Sequence, residues 1–325
     1  MRSQRIAATA LSFLSLSAVA CGSSPSGDDT DTAVSEPAAN PAPDLASAPV
    51  AVPGEHARDG VVTNDVRDAI SINANTGGGN TGGGSSGGGA PPAPSDPNAG
   101  AGPKPATTCS VTKDSGGFFV RSTTKSIYEA YVPASYTGTA PRRLIVGLHG
   151  CGDSAHNFAT WGVNPSDTRA TQRHIGISIG GRDGQCWNGS DDDKVLAAVD
   201  DISRCFWVHQ KKVVIAGYSS GGQIGYRVGL QHASRFAGII VEDSGLYAAG
   251  NPDTLLANAA WKLNIAHRTH TADPVFPLAQ VKADWAKMTA AGFPISTSVT
   301  AGDHEGSSAD WATWLIPQSA GFAAP

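Results

Sequence analysis

A serine between glycines at fixed spacing is the first feature able to do chemistry. Gly217-Tyr218-Ser219-Ser220-Gly221-Gly222 follows the apolar run Val213-Val214-Ile215-Ala216 and precedes an apolar helical pattern. A strand that turns sharply into a helix strains the backbone at the central residue, and side chains at 217 or 221 would collide with the turn. Ser219 is thereby raised at a helix N-terminus, where the macrodipole favours developing negative charge. Attack of its hydroxyl on a carbonyl needs a base, an acid to orient that base, and donors for the oxyanion. His304, in Ala301-Gly302-Asp303-His304-Glu305-Gly306, follows the serine and is the natural base. Asp273, in Thr271-Ala272-Asp273-Pro274-Val275-Phe276-Pro277, lies between them as the orienting acid. Asp243 is its competitor, whereas Asp303 adjoins His304 and neighbours on a turn rarely face each other. His267 and His270 read as loop residues near the site. The backbone N–H groups of Cys151 and Ser220 are the expected oxyanion donors. Cys151 stands in His149-Gly150-Cys151-Gly152, after an earlier apolar strand, where glycine permits close backbone approach. His149 precedes the nucleophile and takes a structural role.

The elements that must position these residues alternate along the chain. Phe118 to Val120 and Ser126 to Val132 read as a strand pair. Apolar runs at Leu144 to Leu148, Ile175 to Ile179, Val213 to Ala216, Ala237 to Val241, Leu263 to Ala266 and Ile295 to Val299 suit strands buried on both faces. Helical patterns fall at Asp192 to Cys205, Gly221 to His232 and Leu278 to Ala291. In the last, Val281, Trp285 and Met288 form a core-facing stripe. Such alternation implies an α/β fold with a mostly parallel central sheet, helices on both faces, and ligand chemistry at the carboxyl ends of the strands.

Four cysteines, Cys109, Cys151, Cys186 and Cys205, fall within this region. An even number in an exported domain suggests two disulfides. Loop length favours Cys186–Cys205 and Cys109–Cys151. No two cysteines have CxxC spacing, which argues against a metal site.

Taken together, the motifs resemble a secreted esterase family on the α/β-hydrolase fold that includes polyhydroxybutyrate depolymerases, feruloyl esterases and acetylxylan esterases. The resemblance rests on Leu148-His149-Gly150-Cys151-Gly152, Cys186-Trp187-Asn188, the Ser219 segment, Thr271 to Pro277 and Gly302-Asp303-His304. It implies a triad of Ser219, Asp273 and His304, oxyanion donors at Cys151 and Ser220, and substrate contacts from Trp187, as an aromatic wall of the cleft, and Tyr218. It implies a polymeric or polymer-linked ester as substrate, with no metal or organic cofactor and a monomeric enzyme. A serine peptidase of the same fold and a surface-tethered polymer-binding module without catalysis are the rival readings.

Composition bounds the rest. The chain has 325 residues and a net charge of −5. Apart from Phe13, every aromatic residue lies at or after Phe118, and residues 22–105 are dominated by Gly, Ala, Ser and Pro. Such a segment buries too little apolar surface to offset its ordering entropy. It reads as a disordered tether, with a short helix expected only at Val61 to Ile72, leaving 106–325 as the catalytic domain. Residues 1–20, with Arg2, Arg5 and an apolar run, read as a secretory signal. Ser17-Ala18-Val19-Ala20-Cys21 resembles a bacterial lipobox, making Cys21 the lipidated first mature residue. The chain is then an outer-membrane or cell-surface lipoprotein, or is secreted, and meets the membrane only through that anchor. Residues 106–325 carry equal numbers of acidic and basic side chains, so no basic patch points to nucleic acid.

Overall fold

The structure is a computed structural model, and it describes residues 98–181, 186–187 and 191–325. The signal segment, Cys21, the tether to residue 97 with its expected helix, and Asn188 lie outside the described residues. Eight strands form one sheet in the order β1-β2-β4-β3-β5-β6-β7-β8. They are β1 (Phe118–Ser122), β2 (Ile127–Tyr131), β3 (Arg142–Leu148), β4 (His174–Ile179), β5 (Val208–Tyr218), β6 (Gly238–Glu242), β7 (Asn264–His270) and β8 (Ile295–Thr300). β1 and β2 pair antiparallel, β2 runs antiparallel to β4, and every other pairing is parallel. This sheet, with a strand-to-helix elbow at the end of β5, is the α/β-hydrolase fold.

The continuous apolar runs supply two cores at once, because successive side chains leave a strand on opposite faces. Leu144, Val146, Leu148, Ile215, Ile239 and Val241 join one apolar cluster. Their alternates Ile145, Val214, Ala216 and Ile240 join the other. The first face is covered by α2 (Asp192–Cys205), α3 (Ser220–Gln231) and α5 (Leu278–Ala290), through Val195, Ile202, Ile224, Val228 and Met288 among others. The short α4 (Pro252–Asn258) adds Leu255 and Leu256. The second face is covered by Phe158 and Val163, from helical turns that begin with α1 (Ala155–Phe158), and by Trp311, Leu315 and Phe322 near the C-terminus.

Two details differ from the sequence reading. Residues 98–104, assigned to the tether, lie against β5. Ala101 is 3% exposed and its carbonyl accepts from Gln210 N, while the Trp207 indole N–H donates to Gly102 O. The disulfides are Cys109–Cys205 and Cys151–Cys186, not the pairs that loop length favoured. The reason is topological. Cys151 follows β3 and Cys186 follows β4, and these parallel neighbours end side by side. Cys205 closes α2, whose apolar face packs on the same cluster as Cys109. Chain separation carries no information about such adjacency.

Candidate active site

The elbow has the geometry its glycines require. Ser219 adopts φ +53° and ψ −123° between the last residue of β5 and the first of α3. Left-handed φ in a non-glycine residue is uncommon and costs on the order of 1–3 kcal/mol. A Cβ on Gly217 would lie 2.5 Å from Gly221 O, and one on Gly221 would lie 1.9 Å from Leu148 O. Both positions therefore exclude a side chain. Ser219 N donates to Glu242 O at 3.1 Å, which ties the elbow to the end of β6.

Loops at the carboxyl ends of β7 and β8 bring the partners to it. His304 Nε2 lies 2.9 Å from Ser219 Oγ, and His304 Nδ1 lies 2.9 Å from Asp273 Oδ2. The other oxygen of Asp273 accepts from Val275 N at 2.7 Å and Phe276 N at 2.9 Å, so the turn fixes its carboxylate. Burial alone would raise the Asp273 pKa. Hydrogen bonds from His304, Phe276 and Val275 outweigh it and hold the carboxyl below its ordinary value. Two rings pack on the imidazole of His304: Tyr218 stacks on it at 5.4 Å and Phe276 lies 5.6 Å away. The Tyr218 hydroxyl donates to His304 O at 3.0 Å. Tyr218 thus braces the base as well as lining the site.

The residues expected to hold the oxyanion flank this chain. Ser220 opens α3, among the N–H groups that have no acceptor within a helix. Gly150 passes so close that a Cβ there would sit 2.7 Å from the Tyr218 ring and 3.4 Å from Ser219 Cβ, which brings the Cys151 loop beside the serine. His149 is fully buried with Nδ1 2.8 Å from Gly150 O, a structural placement. The Cys151–Cys186 disulfide and a 2.8 Å bond from the Trp187 indole N–H to His149 O anchor the same loop. Trp187 is only 2% exposed, so it sits behind this loop and not, as the resemblance implied, as an open wall of the cleft.

Asp243, the competing acid, is engaged elsewhere. His270 Nδ1 lies 2.9 and 2.7 Å from its two oxygens, and His270 N donates to Oδ1 at 3.0 Å. His304 bonds to Asp273 instead. His267 and His270 are not loop residues: both lie on β7 and are buried. Trp285 Nε1 donates to His267 Nδ1 at 2.9 Å, and burial lowers the His267 pKa to about 3. Bonds to Asp243 and Asp310 raise that of His270 to about 10. Sequence reasoning missed Glu242, which is fully buried beside these groups. Burial and the charges of Asp243 and Asp310 push its pKa well above the usual value. Its signal was a carboxylate ending an apolar run, directly before Asp243.

No protein-family model matches the sequence, and no curated protein does. Solved structures similar in fold include a ferulic acid esterase, 14% identical over 62% of this chain and 94% of its own, with a TM-score of 0.47. An S-formylglutathione hydrolase from Agrobacterium tumefaciens is 14% identical over 67% of this chain and 100% of its own, with a TM-score of 0.48. An acylaminoacyl peptidase from Pyrococcus horikoshii is 14% identical over 62% of this chain but 40% of its own, with a TM-score of 0.47. The fold assignment rests on strand order and elbow geometry.

Proposed function

We propose that the chain is an exported serine carboxylic-ester hydrolase that acts on polymeric or polymer-linked esters. The observation that carries the reading is the unbroken chain Ser219 Oγ–His304–Asp273, at a strained elbow, at the carboxyl ends of the strands. His304 Nε2 takes the hydroxyl proton as Ser219 Oγ attacks the ester carbonyl. Asp273 holds the Nδ1 proton, keeps Nε2 free, and stabilises the imidazolium that forms. The N–H groups of Cys151 and Ser220 take the oxyanion. The alcohol departs with the proton returned by His304, and water, activated by the same base, releases the acid. No step calls for a metal or an organic cofactor.

Two disulfides fit an oxidising compartment. The signal segment and Cys21 support export with a lipid anchor, and the long tether would let an anchored domain reach an insoluble or surface-bound polymer. The candidates are a polyhydroxybutyrate-type polyester and the feruloyl or acetyl esters of plant polysaccharide. Purified protein should hydrolyse p-nitrophenyl acetate and at least one of methyl ferulate, acetylated xylan and a polyhydroxybutyrate film. Ser219→Ala should retain only the residual ~10³–10⁴-fold over water that binding and an oxyanion hole supply. Hydrolysis undiminished in that variant contradicts the reading.

A further inference from the structure

Behind the triad, three side chains outside the proposed reaction converge from three elements. Glu242 ends β6, His270 ends β7 and Asp310 ends α6 (Ser308–Asp310). Each offers one donor atom, and the three donors lie within 4.8 Å of one another. We propose that Glu242, His270 and Asp310 bind a divalent transition-metal ion, of the class of Zn2+. Three observations carry this.

The first is spacing. His270 Nε2 lies 3.4 Å from Asp310 Oδ2. Two ligands about 2.0–2.2 Å from a tetrahedral ion stand about 3.3–3.6 Å apart. The second is an orphaned donor. Glu242 is fully buried, and among the described residues its Oε1 has no hydrogen-bond partner. A buried oxygen in that state costs on the order of 1–3 kcal/mol, and coordination would remove the cost.

The third is outer support. A metal-binding histidine usually gives its other ring nitrogen to a carboxylate, and ligating carboxylates are themselves hydrogen-bonded. Here His270 Nδ1 pairs with Asp243, Glu242 Oε2 accepts from Trp311 Nε1 and Ser307 N, and Arg268 pairs with Asp310 Oδ1 at 2.9 Å. One imidazole with two carboxylates is a borderline donor set that suits Zn2+ better than Ca2+ or Mg2+. The ion displaces the protons held by His270 Nε2 and by the Glu242 carboxyl, which pass to solvent, and the partly exposed side chain of Asp310 gives it an entry. Bound there, it would clamp β6 and β7 to the C-terminal helical turns, beneath the carbonyl of Glu242 that holds Ser219 N.

Equilibrium dialysis of the purified chain against Zn2+, with bound metal measured by mass spectrometry, tests this directly. Wild type should saturate at one Zn2+ per chain, with a raised melting temperature. Glu242→Gln and Asp310→Asn should each weaken binding by ~10–100-fold or more. His304→Ala should bind as wild type does, which separates this site from the triad. X-ray absorption of Zn2+-loaded wild type should show one imidazole and oxygen donors, and it needs no variant to fold. No saturable binding at micromolar free Zn2+, unchanged affinity in folded Glu242 and Asp310 variants, or loss of binding in His304→Ala overturns the proposal.

Discussion

Two carboxylates, Asp243 and Asp273, each place a donor atom within 4.8 Å of His304, yet only one bonds to it. The difference lies in what else each touches. Asp243, itself at φ +45°, gives both oxygens to His270. Asp273 gives one oxygen to a backbone turn and keeps the other for His304. Asp273→Asn should therefore leave the fold intact and lower turnover by up to ~10⁴-fold, since an amide favours the wrong imidazole tautomer. Asp243→Asn should keep turnover within an order of magnitude. Steady-state kinetics of the two variants decide the matter, and the opposite ranking would move the acid to the end of β6. The grouping of Ser219, His304 and Asp273 was legible because glycine spacing and chain order are local signals. Glu242, and the part played by His270, were not. Their significance comes from burial against Asp243, Asp310 and Trp311, which no stretch of sequence displays.

At the scale of elements, β8 overturns one expectation: at the sheet edge it leaves Ser296, Thr297 and Val299 exposed and is not buried on both faces. Apolar periodicity still located every strand. It also placed α2 at Asp192–Cys205 as read. It failed on β7 beyond Ala266. There the strand continues through His267, Arg268, Thr269 and His270, where Arg268 pairs with Asp310 and His270 with Asp243. It missed the turns of 155–163 and 308–321 as well, since π and 3-10 stretches break the 3.6-residue period. One helix carries a pH signature. Asp284 on α5 is 3% exposed, and burial raises its pKa to about 6, against the hydrogen bond it accepts from Tyr247 N. The folded state then holds a proton that the unfolded chain releases above about 4, so this group costs stability as pH rises from about 4 to 6. Asp284→Asn keeps an acceptor for Tyr247 N. It should raise stability at pH 7 by on the order of 2 kcal/mol and have little effect near pH 3. Urea denaturation at both pH values checks this, and equal effects at the two would refute it.

At the scale of the whole molecule, the folded unit begins before the compositional boundary. Composition changes at residue 106, but the packing of Ala101 on β5 and two hydrogen bonds make residues 98–105 part of it. A chain of 98–325 should therefore be more stable than one of 106–325, by roughly 1–3 kcal/mol from those bonds and the buried methyl. Differential scanning calorimetry of the two should show the shorter one melting several degrees lower, and coincident melting would restore the boundary at 105. The larger design is a rigid candidate site at the strand ends. Strand ends, the Cys151–Cys186 disulfide and the rings around His304 all fix that site before any substrate arrives. Everything in this account depends on Ser219 being an activated nucleophile, and a fluorophosphonate probe reads that property directly. Intact-mass analysis should show one probe per chain, and peptide mapping should place it on Ser219. Ser219→Ala should stay unlabelled, and His304→Ala should label at least ~10³-fold more slowly. A wild-type protein that stays unmodified, or that carries the probe on any other residue, would contradict the account.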